Sequence, residues 1–241
     1  LLSRAPPRTR TPPRPRRHGI GRRNPRSGAR VGDLRVDRTP ERTQNRGMES
    51  ALELAGPRRA VLERARLVAL DVDGTLTDGR VVLAGPPEPG GTGAGERVRY
   101  GETPAFHVHD GQGLVWLARA GVTVAWITGR GCKATERRAA ELGVTELHLF
   151  CADKRARLAE IQRRLGIAVE ETVARGDDLP ALALAAGAGL FAAPADARPE
   201  VAARAHIVTS ARGGRGAVRE LAEHLLRARG AWRAIVDAAG P

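Results

Sequence analysis

Leu67-Val68-Ala69-Leu70 is a short apolar run that leads straight into Asp71-Val72-Asp73-Gly74-Thr75-Leu76-Thr77-Asp78-Gly79. An unbroken run of that length is the pattern of a strand covered on both faces, as in the middle of a parallel sheet. Strand side chains repeat every second residue, so Asp71 and Asp73 leave the strand's end on the same side. Two carboxylates placed there repel each other and resist ionising together unless a cation lies between them. A divalent metal ion is therefore part of the expectation. The plainer alternative is a pair of solvated acids where a strand gives way to a turn.

Charge needs dividing before it is used. Fourteen of the 40 basic residues and three of the 27 acids lie in residues 1–47, so that segment holds +11 of the chain's +13. The remainder, at +2, is close to neutral. The leader is rich in Arg and Pro, has no aromatic residue, and cannot bury enough apolar surface to offset the entropy of ordering it. An Arg-rich arm of this kind could contact nucleic acid or serve as a transit peptide. Neither reading has its usual second feature, an interleaved aromatic or an amphipathic pattern, so nucleic acid is not an expected partner. The expectation is instead that translation starts at Met48, the only Met, with residues 1–47 as upstream sequence.

From Met48 about 190 residues remain, enough for one domain burying roughly 70% of its unfolded surface. Residues 48–65 read as an N-terminal extension, 66–230 as the domain and 231–241 as a tail. No apolar run approaches the ~18 to 20 residues of a membrane span, and a soluble, cytoplasmic protein is expected. Cys132 and Cys151 are too few for a disulfide framework or zinc site and read as small buried hydrophobes.

Strands are predicted at 67–72, 122–127, 146–150, 172–176, 189–192 and 206–208. Helical patterns lie between them near 111–120, 132–142, 154–165, 179–187, 197–203 and 215–229. This alternation implies an α/β fold, a Rossmann-like parallel sheet with helices on both faces. Ligands of such sheets bind beyond the carboxyl ends of the strands. Three further strand ends carry chemistry. One ends in Thr128-Gly129-Arg130, where a hydroxyl and free amides at a helix start favour an anion. The next runs to Lys154, a fixed cation able to neutralise phosphate. The strand before Asp177-Asp178 supplies a second acid pair for an oxygen-ligand cation site. Singly, each is more often a helix cap or a solvated charge; four successive strand ends are much harder to obtain by accident.

These motifs resemble the haloacid dehalogenase superfamily of phosphatases. With Phe106-His107-Val108-His109-Asp110-Gly111-Gln112-Gly113, Gly176-Asp177-Asp178-Leu179 and Gly213-Gly214-Arg215-Gly216-Ala217-Val218-Arg219-Glu220, the resemblance narrows to its 3-deoxy-D-manno-octulosonate 8-phosphate phosphatase family. It covers about residues 66–230. It implies a phosphoric monoester hydrolase in which Asp71 is the nucleophile, forming an aspartyl-phosphate, and Asp73 the general acid and base. It further implies Mg2+ held by Asp71, the Asp73 carbonyl and Asp177, with Asp178 ordering its water shell. Thr128, Gly129 and Lys154 would bind the phosphoryl group, and Asp110, Gly111 and Arg215 the sugar acid. A guanidinium at 215 offers a bidentate fork to a carboxylate; otherwise the Gly-Gly-Arg-Gly run is a flexible connector.

Residues 75–110 leave room only for a small β-hairpin, Arg80–Leu83 against Arg97–Tyr100, and not for a large cap domain. Small-insert relatives are tetramers, so a homotetramer is implied. Three departures stand out: His109, where a longer basic side chain often occurs; Ala181, where a further acid often follows Gly-Asp-Asp; and the long hairpin loop, expected to be disordered. His107 and His109 could face one way toward a metal, but contact with substrate or hairpin packing suits them better. Two alternatives stay open: a phosphatase for a nine-carbon sialic-type sugar acid 9-phosphate, and a catalytically silent oligomerisation module.

Overall fold

The computed structural model describes residues 56–88 and 99–240. The expectations about residues 1–47, the Met48 start and most of the hairpin loop fall outside them.

In chain order the elements are α1 (Pro57–Arg64), β1 (Leu67–Leu70), β2 (Leu83–Glu88), β3 (Arg99–Glu102), α2 (Val108–Arg119), β4 (Thr123–Ile127), α3 (Lys133–Glu141), β5 (Glu146–His148), α4 (Lys154–Leu165), β6 (Thr172–Arg175), α5 (Leu182–Ala185), β7 (Leu190–Ala193), α6 (Pro199–Ala202), β8 (Ile207–Val208), α7 (Ala217–Ala228) and α8 (Trp232–Ala238). Six strands form one sheet in the order β5-β4-β1-β6-β7-β8, every pairing parallel. This is the expected α/β architecture.

Alternate strand residues feed two cores, which is why the strands read as unbroken apolar runs. Val68, Leu70, Val124, Trp126 and Val173 pack on one face with Leu114 and Leu117 of α2 and with Val218, Leu221 and Leu225 of α7. Leu67, Ala69, Ala125, Ile127 and Ala174 pack on the other with Leu158 and Ile161 of α4, Leu184 of α5 and Val201 of α6. The chain builds outward from β1 through β4 to β5, then returns to β1's other side for β6, β7 and β8. The carboxyl end of β1 is thus the point where strand order reverses, and a crevice opens there.

Several boundaries differ from the sequence reading. The hairpin pairs Leu83 with Glu102 and Ala84 with Gly101, not Arg80–Leu83 with Arg97–Tyr100. Its ladder shifts register between Ala84 and Glu88, where Pro86 and Pro87 have no N–H to donate. The helix expected over 179–187 is a tight turn, Leu179–Ala181, followed by the one-turn α5; Pro180 near its start cannot extend a regular ladder. Two helices were not expected at all. α1 buries Val61 and Leu62 against the first core, and α8 brings Trp232 edge-on to Trp116, their centroids 5.6 Å apart. No helix among the described residues is long and apolar enough to cross a membrane.

Candidate active site

β1 ends at Leu70, and the Asp71 amide continues the ladder by donating to the Arg175 carbonyl at 3.0 Å. The chain then turns tightly. The Val72 carbonyl accepts from the amides of Thr75, Leu76 and Thr77, and the buried Thr77 hydroxyl oxygen accepts from the amides of Gly74 and Gly79. Gly74, at φ 74°, supplies the left-handed residue that this turn requires. Asp71 and Asp73 are thereby fixed on a structured loop rather than left on a floppy one.

Asp71 is nearly buried. Its Oδ1 accepts from the Val72 amide at 2.8 Å, and its Oδ2 accepts from Lys154 Nζ. Burial pushes the Asp71 carboxyl above its ordinary range, and the Lys154 ammonium opposes that rise. Lys154 is placed by α4, whose first residue it is; Asp153 caps that helix by accepting from the Ala156 amide. Thr128 follows β4, and its hydroxyl donates to Asp73 Oδ2 at 3.3 Å while accepting from the Arg130 amide at 3.1 Å. α3 begins at Lys133, one residue from the start read from sequence, so Thr128 stands five residues ahead of the helix rather than at its first turn. Arg130 instead bridges the hairpin and the acid loop, 2.9 Å from Glu102 and 3.9 Å from Asp73.

After β6 comes Asp177. Its carboxylate lies over Gly74, where an added Cβ would stand 2.0 Å from Asp177 Oδ2. Thr75 Oγ1 donates to it at 3.3 Å. Burial and the neighbouring Asp71 charge push Asp177 up to about 6. Asp178 is exposed and caps its own turn through the Leu179 amide. Asp71, Asp73, Gly129, Lys154, Asp177 and Asp178 line one open cleft of about 850 Å³.

The oxygen-rich donor set fits a hard cation: Asp71 and Asp177 are crowded and mutually repelled, and a positive ion would relieve both. Among the described residues no three His, Cys, Asp or Glu side chains form a ready-made cage. The His107 and His109 rings pack edge-on at 5.0 Å, and the buried Nδ1 of His107 makes no hydrogen bond among the described residues.

Other predicted residues lie elsewhere. Asp110 is buried in α2, with both oxygens occupied by the amides of Gly216 and Arg219 at the start of α7. Gly111 faces α3, where a Cβ would stand 2.3 Å from an Arg138 guanidinium nitrogen. Within one chain, both residues serve packing and neither lines the cleft. Arg215 is exposed, 3.7 Å from Asp78. Cys132 and Cys151 are half-buried and free rather than fully buried, and Cys151 lines the cleft. Sequence reasoning did not single out Glu102 or Arg175, because nothing local marks either one.

The fold and the cleft define a phosphatase of the haloacid dehalogenase type. No protein-family model matches the chain. It is 39% identical over 171 residues to the 3-deoxy-D-manno-octulosonate 8-phosphate phosphatase of Escherichia coli strain K12, covering 71% of this chain and 84% of that one. The structure of the Moraxella catarrhalis enzyme of the same name, in complex with magnesium, phosphate and KDO, is 33% identical with a TM-score of 0.67, covering 76% and 97%. The cobalt-bound Haemophilus influenzae phosphatase is 31% identical with a TM-score of 0.65, covering 74% and 97%. The chain belongs to the 3-deoxy-D-manno-octulosonate 8-phosphate phosphatase family, a family of phosphoric monoester hydrolases in the haloacid dehalogenase superfamily.

Proposed function

We propose that this protein hydrolyses 3-deoxy-D-manno-octulosonate 8-phosphate to the free sugar acid and phosphate, with Mg2+, as a step of lipopolysaccharide synthesis in the cytoplasm. The observation that carries this reading is the convergence of Asp71, Asp73, Lys154 and Asp177 on one cleft, in a chain so similar to enzymes of that name.

An oxygen of Asp71 attacks phosphorus, the bond from phosphorus to the sugar's terminal oxygen breaks, and an aspartyl-phosphate forms. Asp73 gives its proton to the departing sugar oxygen, then takes one from the water that attacks phosphorus and frees Asp71. The Thr128 hydroxyl, 3.3 Å from Asp73, orients that acid. Lys154, already paired with Asp71, turns to the phosphoryl oxygens as charge spreads over them. Asp71, Asp177 and the Asp73 carbonyl would hold Mg2+, with Asp178 on its water shell. Bound there, the ion neutralises phosphoryl charge as a Lewis acid. Arg215 reads the sugar's carboxylate from the loop beside Asp78. Val81, Val82 and Leu83 at the hairpin base are more than half exposed; a homotetramer would cover them.

Phosphate release from a panel of sugar-acid phosphates, with and without Mg2+, tests the reading. The eight-carbon 8-phosphate should be preferred over a nine-carbon 9-phosphate, and Asp71→Asn should bind ligand without turnover. Preference for the nine-carbon substrate removes the substrate assignment, and turnover by Asp71→Asn removes the mechanism.

A further inference from the structure

Arg175 is the last residue of β6, in the middle of the sheet, and its side chain is fully buried. An apolar residue would fill such a position at no electrostatic cost, whereas a guanidinium there loses its hydration. Nη2 donates to Thr209 Oγ1 at 2.8 Å. Nε and Nη1, both buried, make no hydrogen bond among the described residues. A guanidinium stays a cation at neutral pH even when buried, and the acids whose charge reaches this one are Asp110, Glu220, Asp177 and Asp196.

Three of those acids share one task. Glu220 accepts from the amides of Ser210 and Ala211. Asp196 accepts from the Gly213 amide, and Asp110 from those of Gly216 and Arg219. Together they fasten the loop Thr209–Gly216. The loop in turn lies against the acid loop: the Gly214 amide donates to the Thr75 carbonyl at 3.0 Å. Without a cation among them, three partly desolvated carboxylates would repel one another beneath a single loop. The Arg175 main chain meanwhile holds the Asp71 amide.

We propose that Arg175 is a positioning residue, whose buried charge and bond to Thr209 seat the Thr209–Gly216 loop, and with it Arg215, against the acid loop at the edge of the cleft. Because Arg215 is the loop residue assigned to the sugar's carboxylate, the role rests on the sugar-acid reading given above. Its consequence is specific. Losing the seat should weaken binding of the carboxylate-bearing substrate while sparing hydrolysis of a phosphate ester that has no sugar acid.

The decisive variant is Thr209→Val, which keeps side-chain volume and removes the hydroxyl that accepts from Arg175 and donates toward the carbonyls of Ala193 and Ala211; Arg175→Met, which leaves those two carbonyl contacts in place, and Arg175→Lys accompany it. Amide hydrogen exchange and steady-state kinetics are measured on the full chain with Mg2+, using the octulosonate 8-phosphate and p-nitrophenyl phosphate. In Thr209→Val, exchange at residues 209–216 should rise about tenfold or more and KM for the sugar-acid phosphate by a similar factor, since the charged hydrogen bond from Arg175 is lost together with the hydroxyl's own donations. The kcat for p-nitrophenyl phosphate should stay within about twofold, since that substrate has no carboxylate for Arg215 to hold and the Gly214 bond to the Thr75 carbonyl is kept. Arg175→Met should exceed Thr209→Val, and Arg175→Lys should recover much of the difference. Unchanged exchange at 209–216 in Thr209→Val overturns the proposal, whatever becomes of Arg175→Met. So does a uniform rise across the domain with both substrates affected alike. If wild type cleaves p-nitrophenyl phosphate but not the sugar-acid phosphate, the substrate reading fails alone, and the exchange result decides the role of Arg175.

Discussion

Gly213 lies directly on the main-chain carbonyl of Gly74: a Cβ added at 213 would stand 1.8 Å from that oxygen. The contact joins the loop after β8 to the turn that carries Asp71 and Asp73. Gly213→Ala must therefore push backbone against backbone, which flexible side chains cannot absorb. The expected cost is about 1–3 kcal/mol by chemical denaturation, with kcat/KM down by about tenfold or more as the acid loop shifts. Gly121→Ala is the control. That glycine has φ +78° but nothing within 4 Å, so it should cost about 1 kcal/mol of strain and leave kinetics unchanged.

Asp177 shares its crowded site with Asp71, and that repulsion carries a second expectation. Removing the charge with Asp177→Asn should stabilise the metal-free protein, by about 1–2 kcal/mol on the scale of one to two pKa units. The same change should abolish the gain in melting temperature on adding Mg2+, because a ligand that binds only the folded state stabilises it by mass action. Thermal melts of both proteins, with EDTA and with millimolar Mg2+, check this. A variant less stable than wild type in EDTA, or still stabilised by Mg2+, would remove Asp177 from the metal site.

How far the sequence carried the fold depends on how local each cause is. β1 and β4 announce themselves because both faces are buried, so four apolar residues in a row suffice; β6 is buried throughout as well but carries Thr172 and Arg175 at its ends. The ends of β1, β4 and β6, and the start of α4, were legible for the same reason: a parallel sheet fixes where the chemistry must lie. The role of Asp110 was not legible. It caps α7 from α2, through partners 106 and 109 residues away, and no neighbouring residue signals that. α8 was missed because its hold depends on a distant surface: Arg219 stacks over Trp116 at 4.1 Å and reaches Trp232 at 5.5 Å. Hairpin register failed because Pro86 and Pro87 break the alternation from which it would be read.

Glu220 gives a pH dependence whose sign can be fixed. Burial pushes its carboxyl up, but bonds from His224, the Ser210 and Ala211 amides and the Ser210 hydroxyl outweigh this and bring it to about 2, against 4.5 for the free group. A folded value below the unfolded one means the unfolded chain binds the extra proton. The stabilisation is therefore complete above pH 4.5 and is lost as pH falls toward 2. Its size is about 2 kcal/mol after allowance for partial exposure. Glu220→Gln should be less stable than wild type by that amount at pH 7, and the gap should close between pH 4.5 and 2 in denaturant titrations. A gap constant with pH would mean that shape, not charge, is what Glu220 contributes.

Lys154 and Asp71 form a buried ion pair at the centre of the site, so stability and activity should respond to their loss in opposite patterns. Lys154→Met leaves the Asp71 carboxylate buried without its partner, at an expected cost of about 3–5 kcal/mol. It should also lower kcat by about a hundredfold to a thousandfold, since a cation aimed at the phosphoryl group is lost. Adding Asp71→Asn removes the stranded charge. The double variant should recover much of the lost stability, with a coupling energy of at least about 1–3 kcal/mol in the cycle, yet it should remain inactive because the nucleophile is gone. Equilibrium unfolding of the four proteins gives the coupling, and phosphate release gives the activity. Additive stability losses would mean the pair is not coupled as its geometry requires. Activity regained by the double variant would place the nucleophile elsewhere.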